Sequence, residues 1–334
     1  MLAALRSAAR CVFGASEAGV ELPATGAWYS REEAIMGTAI RVELWSEDRA
    51  DAESAMRAVM DLMHHVDETM SPYKPESELS RINRDAANSP VSVSQEMFDL
   101  LSRSLDFSRL SDGAFDITFA SAGHLYDYRQ GIRPSENDLA QACKAIGYKN
   151  LLLDRATHSV RFASAGVRID LGGFAKGYAV DMGAAILKSR GINNAIVTAG
   201  GDSHILGDRL GRPWTIGIRD PRRSSEIVAV LPLRDVAVST SGDYERFFEE
   251  DGVRYHHLLD PRTGKSPSSV HSVTIVAPDG LTSEGLSKMV FVLGVQKGMQ
   301  LIESQKNVDA VVVDADGALH YSSGLRQQRP GKTQ

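Results

Sequence analysis

Cysteine is scarce in this chain: Cys11 and Cys143 are the two that occur among its 334 residues. No Cys-x-x-Cys pair is present, so the sequence does not predict a zinc ribbon or a dithiol redox site. Two cysteines so far apart in sequence also give little support for a disulfide. The chain can bury a large core, because 43% of its residues are hydrophobic, and this length corresponds to one large domain or two subdomains.

Long apolar runs and an excess of positive charge are missing as well. No apolar run approaches the ~20 residues of a membrane-spanning helix, so we expect no insertion into a membrane. The formal net charge is −6, and no basic stripe with interleaved aromatic residues is present. A nucleic-acid partner is therefore not expected.

The N-terminus lacks a convincing secretion signal. Arg6 and Arg10 interrupt its apolar stretch, whereas a signal peptide needs ~7–15 uninterrupted apolar residues. Cys11 follows Arg10, which is a poor residue before a lipoprotein cysteine. These features favour a cytoplasmic protein, and the alternative is a periplasmic protein with an atypical or misassigned start.

The first part of the chain is predicted to be mainly helical. Apolar residues at helical spacing predict helices over 48–70, 94–110 and 135–146, after a strand over 38–45. Ser94 and Ser135 are expected to be N-caps. The expected parts of the chain are an irregular or weakly helical leader over 1–30, one domain over 31–325 (or two subdomains, 31–150 and 151–325) and a tail over 326–334.

Beyond residue 150 the pattern changes to short β-like runs. They are predicted at 151–153, 159–162, 167–170, 194–198, 203–207, 214–218, 227–231, 236–239, 254–259, 270–276, 309–313 and 319–322. Helices are predicted at about 174–189, 281–293 and 295–303. Because strands and helices do not alternate strictly, we expect an α+β fold with mixed β-sheets and packed helices.

One segment, IDLGGFAKGYAVD at 169–181, combines a short apolar run, a double glycine and a helix start. Gly172 and Gly173 let a backbone approach a ligand closely, and the free N–H groups of a helix start suit a phosphate. The plain structural alternative is a tight strand-to-helix turn with ordinary caps, and local physics alone does not decide between the two.

Other segments of the chain indicate a family resemblance. They read MGT at 36–38, MSPY at 70–73, SELSRIN at 77–83, GAFDIT at 113–118, AGGD at 199–202, STSGDY at 239–244 and RYHHLLDPRTG at 254–264. In this order and spacing the chain resembles the FAD:protein FMN transferase, or ApbE-like, family from about residue 34 to about residue 313. The resemblance implies an ApbE-like architecture with a T-fold-like duplication.

The resemblance also implies which residues surround FAD. They are Met36, Tyr73, Ala114, Phe115, Asp116, Gly172, Tyr178, His257 and Leu258. An aromatic ring such as that of Tyr73 suits stacking on the flavin ring, although Tyr73 could equally be a surface aromatic. Phe115 and Asp116 could likewise belong to a plain loop after a helix.

Two pairs of adjacent histidines occur. His256 and His257 lie in a β-like run, where alternation sends neighbours to opposite faces, and the resemblance selects His257 for the flavin site and for catalysis. His64 and His65 lie on a predicted helix, where adjacent side chains do not face one ligand together. We expect no role for His64 and His65.

The predicted metal site departs from the family pattern. The resemblance implies Mg²⁺ held by the Ala175 carbonyl and by an aspartate and a threonine four residues apart. Here Glu284 and Lys288 occupy those two positions, and an ammonium group cannot bind Mg²⁺. We therefore expect Ala175, Glu284 and Ser287 as metal ligands, with Glu284 also catalytic. Glu284–Lys288 could instead be a plain surface pair, or the Lys288 charge could replace the cation.

The expected function is transfer of FMN from FAD to a Thr or Ser hydroxyl of an acceptor flavoprotein, for example a subunit of a bacterial membrane redox complex, with release of AMP. The alternatives are an FAD-binding accessory or carrier protein with a degenerate metal site, and an FAD pyrophosphatase. Thr25-Gly26-Ala27 resembles an acceptor segment, but Trp28 occupies the hydroxyl position, so self-modification is not expected. The chain is expected to be a monomer or a homodimer.

Overall fold

The computed structural model describes residues 26–327, which contain helices and antiparallel strands. The helices are α1 Arg49–Met70, α2 Glu78–Asp85, α3 Gln95–Leu110, α4 Ala120–Gly123, α5 Glu136–Cys143, α6 Ala175–Ser189, α7 Gly280–Glu303 and α8 Ser323–Gln327, with short 3₁₀ turns at Ile117–Phe119 and Tyr148–Asn150. None of the helices within 26–327 has the length and apolar character that crossing a bilayer demands.

The strands form one large sheet and several small ones. They are β1 Ala27–Ile35, β2 Thr38–Ser46, β3 Val91–Ser92, β4 Leu151–Asp154, β5 Ser159–Phe162, β6 Ala195–Ala199, β7 Asp202–Leu206, β8 Trp214–Arg219, β9 Ile227–Leu233, β10 Ala237–Gly242, β11 Phe247–Glu250, β12 Val253–His256, β13 Val270–Ala277, β14 Asp309–Asp314 and β15 Leu319–Tyr321. The large sheet has the order β1-β2-β6-β7-β10-β13-β14-β15. The small sheets are β3-β5-β4, β8-β9 and β11-β12.

The α+β class is confirmed, although the sheets are not mixed in strand direction. Every strand pairing among residues 26–327 is antiparallel. Neighbouring strands such as β6 and β7 are joined by a tight turn at Gly200 and Gly201, and so short a connection forces an antiparallel pair.

The main core lies between one face of the large sheet and the layer formed by α1, α6 and α7. In β13, Val273 and Ile275 point into this core, whereas Val276 faces the other side of the sheet. On that other side the β8–β9 ribbon covers a second core that contains Trp214 and Leu231. Burial on both faces explains why β13 is apolar over most of its length rather than alternating.

The predicted helix starts are confirmed for α3 and α5. The Ser94 hydroxyl accepts a hydrogen bond from the N–H of Met97, and the Ser135 hydroxyl accepts one from Asp138. Each bond satisfies one of the N–H groups that a helix start leaves free. In α1 the same role belongs to Asp48, whose side chain accepts from two backbone N–H groups.

Several expected boundaries were wrong. The leader was expected to reach residue 30, but β1 begins at Ala27 and pairs along its length with β2; residues 1–25 of that leader, with Cys11 and Thr25, lie outside the described residues. The expected tail begins too early, because α8 extends to Gln327. The break expected between the helices at 281–293 and 295–303 is confirmed, because α7 is kinked at Gly294, where φ is 76°.

The segment 167–170 was expected to be a strand, and it is not. Among residues 26–327 it pairs with no other strand. The side chain of Asn83 pairs instead with both backbone groups of Ile169, and the Ser121 hydroxyl accepts from the N–H of Arg168. Side chains from two helical segments thus replace a β-partner and hold the chain as it enters the double-glycine turn.

Candidate active site

The first turns of α6 and α7 meet in direct backbone contact. A Cβ atom built on Gly280 would lie 2.5 Å from the carbonyl oxygen of Gly177, and a Cβ on Gly177 would overlap the carbonyl of Gly280. Glycine at both positions therefore allows a separation that any larger residue would prevent. This contact brings the side chains of Lys176 and Glu284 together, 108 positions apart in sequence.

Glu284 is fully buried and bonded through both carboxylate oxygens. Oε1 accepts from the Lys176 ammonium, and Oε2 accepts a 2.7 Å hydrogen bond from the backbone N–H of Gly177. Glu284 thus caps the start of α6 from a neighbouring helix. The N–H of Gly177, one of the free groups of this helix start, is therefore already used.

Lys176 bridges two acidic side chains. Besides contacting Glu284, its Nζ lies 2.9 Å from Oδ2 of Asp202 at the start of β7. Oδ1 of Asp202 is buried and has no hydrogen-bond partner among residues 26–327. Asp202 and Glu284 are almost wholly buried, whereas 25% of the Lys176 side chain is exposed.

Lys288 lies one helical turn after Glu284 and belongs to the same cluster. Its Nζ is 3.7 Å from Oε1 of Glu284 and donates a 2.8 Å hydrogen bond to the hydroxyl of Ser241 on β10. The Lys288 side chain is 17% exposed. The plain surface pair that the sequence left open is therefore excluded, because both members are largely buried.

The charges within this cluster shift one another's protonation equilibria. Burial raises the pKa of Glu284, and the neighbouring Asp202 charge adds to that effect while Lys176 and Lys288 oppose it. Burial lowers the pKa of Lys288. For Lys176 burial also acts downward, but the two carboxylates outweigh it and raise its pKa. Lys176 is therefore the firmly charged member of the cluster.

The double-glycine turn covers the cluster. The N–H of Gly172 donates to Oδ1 of Asp170 at 2.6 Å. A Cβ atom built on Gly173 would lie 3.5 Å from the ring of Phe115 and 3.9 Å from Cγ of Lys288. The turn thus runs directly over the Lys288 side chain, with Phe115 beside it.

Phe115 and Asp116 are buried behind this turn. The Phe115 ring packs edge-on against Phe107 and Phe174, with centroids 5.5 and 5.6 Å away. The Asp116 carboxylate accepts from Thr118 and from the backbone N–H of Tyr148, while burial raises its pKa. Asp116 therefore ties its own loop to the Tyr148 segment.

His257 follows β12 and lies close to Lys288. Its Nδ1 is buried and has no hydrogen-bond partner among the described residues. Burial and then the charges of Lys288 and Arg246 lower the pKa of His257 to about 3. His256 points elsewhere: its Nε2 lies 2.9 Å from the carbonyl of Pro267, and its ring packs against Phe291.

The other residues that the resemblance placed around FAD are spread around this centre. Ala114 and Leu258 are buried beside Phe115 and His257 in sequence, and Met36 is half-buried with a φ of 55°. Tyr73 is 85% exposed. The hydroxyl of Tyr178 donates to Glu96 at 2.6 Å, and burial raises its pKa.

Glu284 and Ser287, two of the residues expected to bind Mg²⁺, have other partners. Ser287 donates to the Glu284 carbonyl and lies 2.7 Å from the Ser241 hydroxyl, while Ala175 is the first residue of α6. Across residues 26–327 no group of three or more His, Cys, Asp or Glu side chains could hold a metal ion. The side chains nearest to the Glu284 carboxylate are ammonium groups, which repel a cation.

The histidines of α1 diverge, as expected. His64 contacts Glu33 at 3.1 Å, and His65 contacts Glu96 at 2.9 Å. Neither side chain reaches the charged cluster.

Two residues of the site were missed from the sequence. Asp202 ends the AGGD segment, and its position after two glycines was a usable signal. No signal in the sequence pointed to Arg246. Its guanidinium lies 3.7 Å from a Cβ built on Gly37, and its carbonyl accepts from the N–H of His257. Arg246 thus joins the segment at Met36–Gly37 to the histidine.

Two shallow surface hollows lie away from this centre. One, of about 250 Å³, is lined by residues such as Tyr29 and Arg49, and the other, of about 400 Å³, by residues such as Trp45 and Arg190. Neither contains a residue of the charged cluster. The convergence of buried charges at the glycine turn therefore identifies the candidate site better than the shape of the surface does.

Comparison with known proteins gives consistent matches over most of the chain. The model of the ApbE family matches residues 36–312. A protein of Treponema pallidum named FAD:protein FMN transferase is 34% identical over 89% of this chain and 87% of its own length. A protein of the same name from Vibrio cholerae is 32% identical over 92% of this chain and 93% of its own length.

Solved structures agree with these matches. The crystal structure of an ApbE protein from Thermotoga maritima superimposes with a TM-score of 0.84 at 34% identity, covering 91% of this chain and 100% of that one. The flavin transferase ApbE from Vibrio cholerae gives a TM-score of 0.80 at 27% identity, covering 90% of this chain and 99% of that one.

Proposed function

The chain belongs to the ApbE family, and from this premise we propose that it is an FAD:protein FMN transferase. An acceptor Thr or Ser oxygen forms a bond to the phosphorus on the riboflavin side of the FAD diphosphate. The bond from that phosphorus to the bridging oxygen breaks, and the bridging oxygen leaves with AMP. The acceptor hydroxyl loses one proton.

The observation that carries the proposal is the convergence of three cations at the double-glycine turn. Lys288 lies under Gly173, Lys176 is the second residue of α6, and Arg246 lies close enough to Asp170 and His257 to affect the pKa of both. Phosphoryl transfer needs positive charge on the oxygens of the diphosphate, in a place from which water is largely excluded. Here the positive charge lies next to the backbone of Gly172 and Gly173, which carry no side chains that would keep a diphosphate away.

We assign His257 as the group that accepts the hydroxyl proton. Its imidazole is uncharged at neutral pH, and its buried Nδ1 has no partner among residues 26–327. The charges of Lys288 and Arg246 contribute to its low pKa. A bound diphosphate offsets those charges, and the pKa of His257 then rises toward the range in which a base is effective.

Glu284 is assigned as a positioning residue rather than a base. Both of its oxygens already accept hydrogen bonds, from Lys176 and from Gly177. It therefore holds the Lys176 ammonium in place and fixes the start of α6. Asp202 supports the same ammonium from the opposite strand.

Mg²⁺, which the family resemblance implies, does not fit the residues as they are arranged. Each carboxylate oxygen of Glu284 already accepts a hydrogen bond, and Ser287 is engaged with Ser241 and with the Glu284 carbonyl. A hard cation with six oxygen ligands would also have to displace the Lys176 ammonium. The steps above accordingly use the side chains of the chain alone.

FAD is therefore the small-molecule substrate in this proposal, and a second flavoprotein is the acceptor. We expect the purified chain to bind FAD more tightly than FMN or NAD, because FAD alone places a flavin and an adenylate on either side of the diphosphate. A titration without saturable FAD binding would remove the proposal.

The test incubates the chain with FAD and an acceptor domain that carries a Ser/Thr-Gly-Ala-Thr/Ser segment. Flavin fluorescence on the acceptor after denaturing electrophoresis, together with stoichiometric AMP, is the expected result. The matched control replaces the acceptor Thr with Val, which keeps the shape but removes the hydroxyl. Release of AMP together with free FMN would instead identify a pyrophosphatase. Bound FAD without release of AMP would identify a carrier protein, which is the second candidate function and is favoured by Lys288 at the metal position.

A further inference from the structure

Lys288 occupies a position at which the family resemblance expects an oxygen ligand for a metal. It follows Glu284 by one turn of α7, and its Nζ lies 3.7 Å from the carboxylate. That distance is beyond a hydrogen bond, so Lys288 does not complete the coordination of Glu284. The same carboxylate accepts from Lys176, which it shares with Asp202.

A chain of buried hydroxyls holds the Lys288 ammonium in a fixed direction. The Ser287 hydroxyl donates to the Glu284 carbonyl, so the hydrogen between Ser241 and Ser287 must come from Ser241. The Ser241 oxygen is then free to accept from Lys288 at 2.8 Å. One of the three N–H donors of Lys288 is used in this way.

The remaining donors lie beside the glycine turn. The Lys288 stem packs under Gly173, and 17% of the side chain is exposed. Burying an ammonium group is costly unless an anion pairs with it. Within residues 26–327 the two carboxylates of the cluster, on Asp202 and Glu284, both contact Lys176, and Glu284 also pairs with Lys288 at 3.7 Å. Lys288 makes one hydrogen bond there, to Ser241, so its remaining N–H donors are available to an anionic ligand beside the glycine turn.

From this geometry, and resting on the proposed function, we infer that Lys288 takes the place of the divalent cation: its ammonium binds the diphosphate of FAD directly, and FAD binding needs no Mg²⁺. Lys176 stays paired with Asp202 and Glu284 and contributes its exposed edge to the same anion. An ammonium also acts as a point charge, without the fixed octahedral geometry of Mg²⁺.

The first experiment compares FAD titrations of the wild-type chain by isothermal calorimetry, in EDTA and in excess MgCl₂. We expect the two dissociation constants to agree within about twofold. A dissociation constant that improves about tenfold or more with Mg²⁺ overturns the inference but leaves the proposed function intact. No FAD binding under either condition means that the proposed function itself fails.

The second experiment removes the charge. Lys288→Met keeps the length of the stem, and we expect FAD to bind about tenfold to a hundredfold more weakly, which is the range for loss of one charged hydrogen bond. Lys188→Met is the matched control, because Lys188 is exposed on α6, and its FAD affinity should not change. Equal FAD affinity in wild type and Lys288→Met would show that Lys288 does not touch the diphosphate.

The third experiment restores the family pattern with Lys288→Thr together with Glu284→Asp. The shorter side chain at position 284 withdraws its carboxylate from Lys176 and Gly177 and leaves it free for a metal. This double variant should therefore bind FAD weakly in EDTA and regain affinity with MgCl₂, which calorimetry with Mg²⁺ alone can also detect. A double variant that binds FAD as the wild type does, without Mg²⁺, contradicts the inference. Thermal unfolding of each variant separates loss of binding from loss of the fold, and the wild-type comparison stands even if a variant does not fold.

Discussion

The carbonyl of Gly280 lies in the space that a Cβ atom on Gly177 would occupy. This contact holds the starts of α6 and α7 close together. The N–H of Gly177 and the ammonium of Lys176 can therefore both donate to the Glu284 carboxylate. Two residues without side chains thus determine where the charges of the site meet.

Gly177→Ala should destabilise the protein, because the added methyl overlaps backbone that cannot rotate away. Overpacking of this kind costs about 1–3 kcal/mol and sometimes more, and we expect at least the upper part of that range in urea unfolding. Gly173→Ala is the control, since its Cβ would meet Phe115 at 3.5 Å, an ordinary contact distance. Equal unfolding midpoints for the two variants would contradict the described contact between α6 and α7.

Glu284→Gln should lower both stability and FMN transfer. An amide places an NH₂ group opposite either Lys176 or the N–H of Gly177, and it removes a buried negative charge between two ammonium groups. Breaking a buried ion pair costs roughly 3–5 kcal/mol, measurable by urea unfolding. Glu136→Gln is the matched control, because that glutamate pairs with Lys265 at the surface, and its unfolding should not change measurably.

For the transfer reaction of Glu284→Gln, we expect kcat to fall more than the affinity for FAD does. The reason is that Glu284 acts by holding Lys176 rather than by touching FAD. An unchanged kcat in folded protein would remove the positioning role. A change confined to unfolding would leave Glu284 as a structural residue.

His257 should stay uncharged between about pH 5 and pH 8. Its pKa in the folded chain is lowered to about 3, below the value of about 6.5 for an exposed histidine. The stability that its neutral form contributes is complete above about pH 6.5 and is lost as pH falls toward about 3, by at most ~1.4 kcal/mol per pH unit. Between those values the unfolded chain binds the extra proton.

NMR of the histidine ring protons measures this directly in the FAD-free protein. The His257 resonance, assigned from its absence in His257→Gln, should not titrate between about pH 5 and pH 8. Urea unfolding of wild type should lose more stability on acidification through this range than His257→Gln does. A His257 resonance with a midpoint near 6.5 would contradict the burial and the charges described around it.

Tyr73→Ala should weaken FAD binding without changing stability. The ring is 85% exposed, so little packing is lost, whereas an aromatic contact with a flavin contributes about 0.5–1.5 kcal/mol, or about two- to tenfold in affinity. Tyr73→Phe is the control and should bind FAD as wild type does, because it keeps the ring face. FAD affinity that is unaffected by Tyr73→Ala would place Tyr73 outside the site.

Local sequence signals determined much of the secondary structure. Ser94 and Ser135 can be predicted as N-caps, because an N-cap hydroxyl accepts a hydrogen bond from an N–H group only two or three residues later in the chain. The kink in α7 was predicted as a break between two helices at Gly294. These features depend on residues close in sequence, which is why a single chain reveals them.

Signals that depend on distant residues were not visible. The segment 167–170 has strand composition, but its backbone is satisfied by the side chains of Asn83 and Ser121. The N-cap of α2 at Ser77 was also missed, because the helix is short and few apolar residues mark it. The β11–β12 pair, which places His257 and Arg246, was seen only in part.

The order of residues along the chain is enough to predict the α+β class, the family resemblance and the spacing of Glu284 and Lys288, one helical turn apart. What that pair does depends on how the chain folds around it. On an exposed helix it would be a weak surface contact, but the Gly177–Gly280 contact buries it beside Lys176 and Asp202, where charges interact strongly and metal ligands are already taken. Burial depends on the whole fold, so the roles of Glu284 and Lys288 could not be deduced from the sequence that identified them.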